Sequence, residues 1–313
     1  MNANAPRSAP DGAPRQHDGA ISCIIPTHRR GEFLREALES VISQTLPPTE
    51  IIVVSDVKDD QARAVCDAVG TGASVLVRYI ERVEGGGGAS ASRNHGASLA
   101  RSELLAFLDD DDRWSETFLD HTYRALTGSD AGIAVAWITE FSAEHQRNGH
   151  AIVPGLEAAD VLAVNPGITG SNFLVRSERF HALGGFDEAL PVKNDTDFFA
   201  RFMRDGGDYI VVPERLVFQR KHQLGQLTAV DERRARGTEL FMAKHREHLS
   251  RADRRELVQL VHRIRSRCAP TRPQRLYHLA WVAVLYGPVG LVRKLRRGRE
   301  RPVYDVGSAH DGA

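Results

Sequence analysis

Four short apolar runs in the first 108 residues each end at a polar turn or beside one, with amphipathic helical stripes between them. No other feature limits the possible folds as strongly. The runs are Ile21 to Ile25, halted by Pro26; Ile51 to Val54, halted by Ser55 and Asp56; Val75 to Ile80; and Leu104 to Leu108, which leads straight into Asp109-Asp110-Asp111-Asp112. Between them, Arg29 to Thr45 places Phe33, Leu34, Ala37, Leu38, Val41 and Ile42 on one face. Asp59 to Val69 turns Ala62, Val65, Cys66 and Val69 inward, and Ala91 to Ala100 reads as a third helix. Such alternation with short connections predicts an α/β fold with a mostly parallel sheet and right-handed crossovers. Ligands of open parallel sheets collect beyond the carboxyl ends of the strands. Pro26-Thr27, Ser55-Asp56 and the four aspartates occupy three such ends, so one site assembled from all three is expected.

The second half is less regular. Ala134 to Ile138 and Ser171 to Val175 read as strands, Asp195 to Arg204 as a helix, and Tyr209 to Val212 and Arg215 to Gln219 as two further short strands. From about Thr228 the chain reads as helical to Arg297, with breaks at Pro270, Pro273 and Pro288. The formal net charge is zero, so no global field points to nucleic acid. That zero is an average, because Asp231 to Arg301 holds 19 Lys or Arg against 7 Asp or Glu. The organisation expected is a disordered tail over 1–19, a catalytic domain over 20–225, a basic helical region over 226–300 and a flexible tail over 301–313. Cys23, Cys66 and Cys268 match no metal or redox spacing and read as reduced thiols of a cytoplasmic protein. Leu276 to Val292 is short for a spanning helix and carries His278, Gly287 and Pro288. Flanked by Arg275 and Arg293-Lys294-Leu295-Arg296-Arg297, it is either a helix packed on the catalytic domain or a peripheral contact with the inner face of a membrane.

The acidic run carries the clearest chemistry. Adjacent carboxylates repel one another, and burying them without partners is costly. Delivered by a strand to the edge of a sheet, they suit a hard divalent cation, Mg²⁺ or Mn²⁺, shared with a diphosphate. Upstream, Gly85-Gly86-Gly87-Gly88 precedes a helix bearing Arg93 and Asn94. The glycines are too late in the chain for a dinucleotide fingerprint, which follows the first strand. A loop closing over phosphate, with Arg93 as its cation, is the functional reading; a linker and a surface arginine are the plain one.

These segments resemble family 2 glycosyltransferases. Ile24-Ile25-Pro26-Thr27-His28-Arg29-Arg30 is similar to the family's opening strand and turn, and Glu50 to Asp56 to its second strand. Ala91-Ser92-Arg93-Asn94-His95-Gly96 and Leu105 to Trp114 resemble its Arg-Asn-x-Gly and Asp-x-Asp segments. Gly184-Gly185-Phe186-Asp187-Glu188 and Asn194 to Arg201 resemble its acceptor-side and catalytic-base segments. The resemblance covers roughly residues 20 to 225 and implies a GT-A fold, a nucleotide-diphosphate sugar, a hydroxyl acceptor on a glycan, lipid-linked saccharide or other molecule, and a divalent metal.

It further implies that Pro26, Thr27, Arg29, Asp56, Arg93, Asn94, Asp109 and Asp110 contact the nucleotide sugar, and that Asp109 and Asp111 hold the metal. His222 either completes the metal shell or is a surface histidine in a basic segment. Asp195 would take the proton from the acceptor hydroxyl, giving displacement with inversion; the plain reading makes it a helix N-cap. Two residues depart from the pattern: Ser55 stands where many relatives have aspartate, and Asn194 where a glutamate commonly precedes the base. A sugar-phosphate nucleotidyltransferase is the second hypothesis, opposed by the absence of glycine in the first turn before Gly31. A non-catalytic binding protein is the third, opposed by the presence of Asp109, Asp111 and Asp195 together.

Overall fold

The computed structural model describes residues 21–82, 88–221 and 231–297. The expected tails, the glycines from Gly85 to Gly87 and His222 lie outside the described residues. The chain opens with strand β1 (Ile21–Thr27), helix α1 (Gly31–Ile42), β2 (Glu50–Ser55), α2 (Asp60–Gly70), β3 (Leu76–Glu81), α3 (Ala89–Leu99) and β4 (Leu104–Phe107). It continues through β5 (Arg113–Trp114), α4 (Phe118–Thr127), β6 (Ile133–Phe141), β7 (Gln146–Asn148), β8 (Phe173–Arg176), α5 (Ser177–Ala182), α6 (Asn194–Arg204) and β9 (Tyr209–Arg220). Helices α7 (Glu232–Lys244), α8 (Arg251–Cys268) and α9 (Arg272–Arg297) follow.

One sheet runs β3-β2-β1-β4-β8-β6-β9-β5, with β7 paired to β6. The first four strands in that order are mutually parallel, as expected. β8 then joins β4 antiparallel, so the second half of the chain returns across the sheet and extends it. β1 is buried at every residue because it is covered on both faces. Its alternate side chains enter different cores. Cys23 and Ile25 pack with Leu34, Leu38 and Val41 of α1 on one face, and Ile24 packs with Phe107, Phe173 and Phe198 on the other.

Two expectations are corrected. Tyr209–Arg220 is one strand, because the register on β6 jumps from Val212 opposite Ala136 to Arg215 opposite Trp137. The irregularity falls at Pro213, which has no N–H to give a ladder, so a bulge keeps the strand continuous. Helix α9 also runs through Pro273 and Pro288 without a break. Pro273 sits in the first turn, where a missing N–H is tolerated. Cys23 and Cys66 are buried free thiols, and burial pushes the Cys66 thiol up to about 12.

The carboxyl-terminal helices are bound to the sheet layer by buried charge. Asp197, on α6, is fully buried and accepts from Arg201 at 2.8 Å, Lys244 at 2.7 Å and His245 at 2.9 Å. Burial alone would raise its pKa; hydrogen bonds from His245 and Lys244 and the Arg201 charge instead hold it down to about 2. Arg265 of α8 in turn clamps Glu232 and Glu239 of α7, each at 2.7 Å. Among the described residues no helix is long and apolar enough to cross a membrane.

Close approach of α3 to β1 generates the first prediction. A Cβ on Gly96 would lie 2.5 Å from the Ile24 side chain and 3.2 Å from that of Val54. Gly96→Ala should therefore overpack this contact and cost about 1–3 kcal/mol in urea unfolding; an unchanged midpoint would contradict the packing.

Candidate active site

The parallel strands deliver three polar ends to one place. Thr27 ends β1, Asp56 follows β2, and Asp109 to Asp112 follow β4. Together with the start of α3 and the end of β9 they line a cavity of about 520 Å³. Its wall includes Pro26, Thr27, His28, Arg30, Asp56, Arg93, the four aspartates and Arg220.

Each aspartate of the run has different partners. Asp110 turns back under the β1 turn, accepting from Thr27 Oγ1 at 2.8 Å, the His28 N–H at 3.3 Å and Arg30 at 3.1 Å. Burial raises its pKa to about 6 against the lowering effect of Arg30. Asp112 is buried, accepting from Ser171 Oγ at 2.7 Å and from the Arg220 N–H at 3.0 Å. Burial, with the Asp111 and Asp109 charges, pushes its carboxyl well above the usual range. Asp111 pairs with Arg30 at 3.0 Å, and Asp109 pairs with Arg93.

Asp109, Asp111 and Asp112 each present an oxygen within 4.8 Å of the others. Three clustered carboxylates with no soft donor among them fit Mg²⁺ or Mn²⁺. Asp112 was not expected in this group, because sequence spacing cannot tell which of four neighbours turns inward.

Arg93 is only 2% exposed, and its Nη2 is committed to Asp109. Its Nε and Nη1 are buried and have no hydrogen-bond partner among the described residues. Two idle donors on a buried guanidinium are costly unless a ligand accepts from them. Space for the group comes from Gly170, where a Cβ would come within 2.7 Å of Arg93 Nη2. Asp56 accepts from His28 Nδ1 at 2.5 Å and from the Gly88 N–H at 2.9 Å. Burial acts to raise the Asp56 pKa, but these two hydrogen bonds and the His28 and Arg82 charges hold it below the usual range.

Other expected residues sit elsewhere. The Arg29 side chain is exposed and not in the cavity wall; its N–H donates to Asp59 at 3.1 Å, and Arg30 faces the site instead. Asn94 points away as well, bonding the Phe186 carbonyl at 2.8 Å, the Phe186 N–H at 2.9 Å and Glu188 at 2.9 Å. Asn94 therefore secures the Gly184-Gly185-Phe186 turn.

Asp195 lies in a second cavity of about 430 Å³. The two cavities share Arg93, Asp109 and Gln219. Asp195 is not the cap of α6: Lys193 holds that position in a left-handed conformation (φ 60°), and Asp195 lies in the first turn. Its Oδ1 accepts from the Thr196 N–H at 2.6 Å. Burial raises its pKa against that bond and the Arg93 and Lys193 charges. Asn194, the residue that departs from the pattern, donates to Ser90 of α3 at 2.7 Å and accepts from the Asp195 N–H at 2.8 Å. It thereby ties the turn bearing Asp195 to the helix bearing Arg93.

A model described as glycosyl transferase family 2 matches residues 22–217. The chain belongs to that family. The glycosyltransferase GlyG of Streptococcus pneumoniae is 31% identical over 115 residues, covering 37% of this chain and 38% of GlyG. This chain spans between about a third and three fifths of the length of the curated relatives it matches first. The S. aureus TarS 1–349 structure in complex with UDP-GlcNAc superposes with a TM-score of 0.61 at 15% identity, covering 89% of this chain and 92% of that one. The mannosyltransferase PcManGT of Pyrobaculum calidifontis, in complex with GDP-Man and Mn²⁺, gives 0.58 at 17% identity, covering 94% and 83%. The fold of this family member is GT-A.

Ser171 provides a test of the carboxylate group. Its Oγ donates to Asp112 at 2.7 Å and accepts from the Asp109 N–H at 3.0 Å, bridging two members of the group. Ser171→Ala should weaken Mn²⁺ binding about 10-fold or more in a calorimetric titration. Unchanged affinity would place the metal elsewhere.

Proposed function

We propose that the chain transfers a hexosyl group from a nucleotide-diphosphate sugar to an acceptor hydroxyl, with inversion, in polysaccharide or glycoconjugate synthesis. The idle Arg93 donors carry this reading, because their guanidinium lines the same cavity as three clustered carboxylates at the strand ends. Diphosphate oxygens satisfy both features. They would accept from Arg93, while Asp109, Asp111 and Asp112 would hold a divalent cation beside them. Bound there, Mn²⁺ or Mg²⁺ would offset charge growing on the departing diphosphate. Asp56, held ionised, accepts from the nucleoside hydroxyls, with Thr27 and Pro26 forming the adjoining wall.

Asp195 faces the same junction from the other cavity. A hydroxyl is a weak nucleophile, and a positioned carboxylate removes its proton as attack proceeds. With the diphosphate leaving toward one cavity and the hydroxyl arriving from the other, a single displacement with inversion follows. Nucleotide sugars in the TarS and PcManGT complexes support the donor class. We place the enzyme in the cytoplasm, at the inner face of the membrane. The exposed Leu276, Tyr277, Leu279 and Trp281 of α9 support that location.

A thermal-shift screen of UDP, GDP and dTDP with and without Mn²⁺ tests the donor site. One nucleotide should stabilise the protein only with metal, and Asp111→Ala should abolish the shift; no shift with any nucleotide would overturn the reading. Asp195→Asn should lower kcat by about 10²–10⁴-fold and leave nucleotide affinity unchanged. The base works deprotonated, and burial raises its pKa, so activity should fall on acidification at a higher pH than for an exposed aspartate. A kcat profile flat through the carboxylate range would exclude Asp195 as the base.

A further inference from the structure

The cavity holding Asp195 is walled by cations that the proton transfer does not use. Lys193 comes from the cap of α6, Arg234 from α7 and Arg263 from α8, all of them half-buried. Asp195 and the exposed Glu256 line the same cavity. The Lys193 ammonium makes no ion pair or hydrogen bond with any described residue and lies 5.1 Å over the Phe241 ring. Burial lowers the Lys193 pKa, with the Asp195 and Glu256 charges opposing and the Arg234 charge adding to it; burial and the Arg263 charge lower that of Arg234 against the Asp231 charge.

Holding Lys193 there is unfavourable in three ways. A non-glycine residue at φ 60° is strained. A cation at a helix N-terminus opposes the helix dipole. Two further cations stand in the same wall, and like charges disfavour one another. An anion bound among the three offsets both electrostatic costs, and a strained residue facing a cavity is a recognised mark of a binding site.

We propose that the acceptor carries a phosphate or phosphodiester group, held by Lys193, Arg234 and Arg263 while its hydroxyl meets Asp195. This rests on the transferase reading of the two cavities and names its acceptor class. Helices α7 and α8 then have a direct part in the enzyme, supplying the wall that selects the acceptor. A lipid-linked phosphate and a soluble phosphorylated polyol share this chemistry.

The test uses the full chain saturated with Mn²⁺ and the nucleotide found by the donor screen, titrated with glycerol, glycerol 3-phosphate and farnesyl phosphate. Both phosphates should bind at least about 10-fold more tightly than glycerol, as charge-assisted hydrogen bonds to three cations require. Farnesyl phosphate binding more tightly than glycerol 3-phosphate would assign a lipid-linked acceptor, and equal binding a soluble one. Lys193→Asn tolerates the left-handed backbone, and Arg263→Gln keeps the side-chain length. Each should weaken phosphate binding about 5-fold or more without altering nucleotide affinity. Phosphates binding no better than glycerol, or unaffected by both variants, would overturn the inference. Failure of the nucleotide itself to bind would instead overturn the donor site.

Discussion

The pairing of β1 between β2 and β4 governs everything else in the molecule. Because β1 is covered on both faces, its register on its neighbours is fixed by two cores at once. A one-residue slip would exchange Ile24 with Cys23 or Ile25 and disrupt both. That register brings Thr27 level with Ser55, one residue before Asp56, and carries β4 up to the four aspartates. The first cavity is thus a consequence of strand alignment, and its side chains need little further support to converge.

Charge at the rim is handled by division of labour. Four consecutive carboxylates could not share one environment, and the fold gives them different ones. Asp110 is held by Thr27 and Arg30, and Asp112 by Ser171 and the Arg220 N–H; Asp109 pairs with buried Arg93 and Asp111 with Arg30. Arg93 joins the two cavities, since it pairs with Asp109 on one side and lines the pocket of Asp195 on the other. Asn194 and Ser90 connect the helices that bear these two groups. A side chain that departs from the family pattern therefore serves alignment here.

Much of this was legible in the sequence because it rests on local periodicity. The four parallel strands, the helices between them and the motifs at the strand ends all follow from apolar spacing and turn residues. What was hidden depends on which way a side chain turns at an irregular end. Arg30, and not its neighbour Arg29, which adopts a positive φ (55°), lines the cavity. Asp112 enters the carboxylate group, and Asn94 leaves the site for a turn 92 residues away. The role of α7 and α8 was equally unreadable. From sequence they read only as basic helices, whereas Lys244 and His245 are directed at buried Asp197, and Arg234 and Arg263 line the second cavity.

If donor and acceptor meet from opposite sides of the Arg93 junction, one displacement completes transfer. The anomeric configuration of the newly formed linkage, read by proton NMR, tests this most directly. An α-linked donor should give a β-linked product. Retention of the donor's configuration would contradict the assignment of Asp195 as the base of a single displacement.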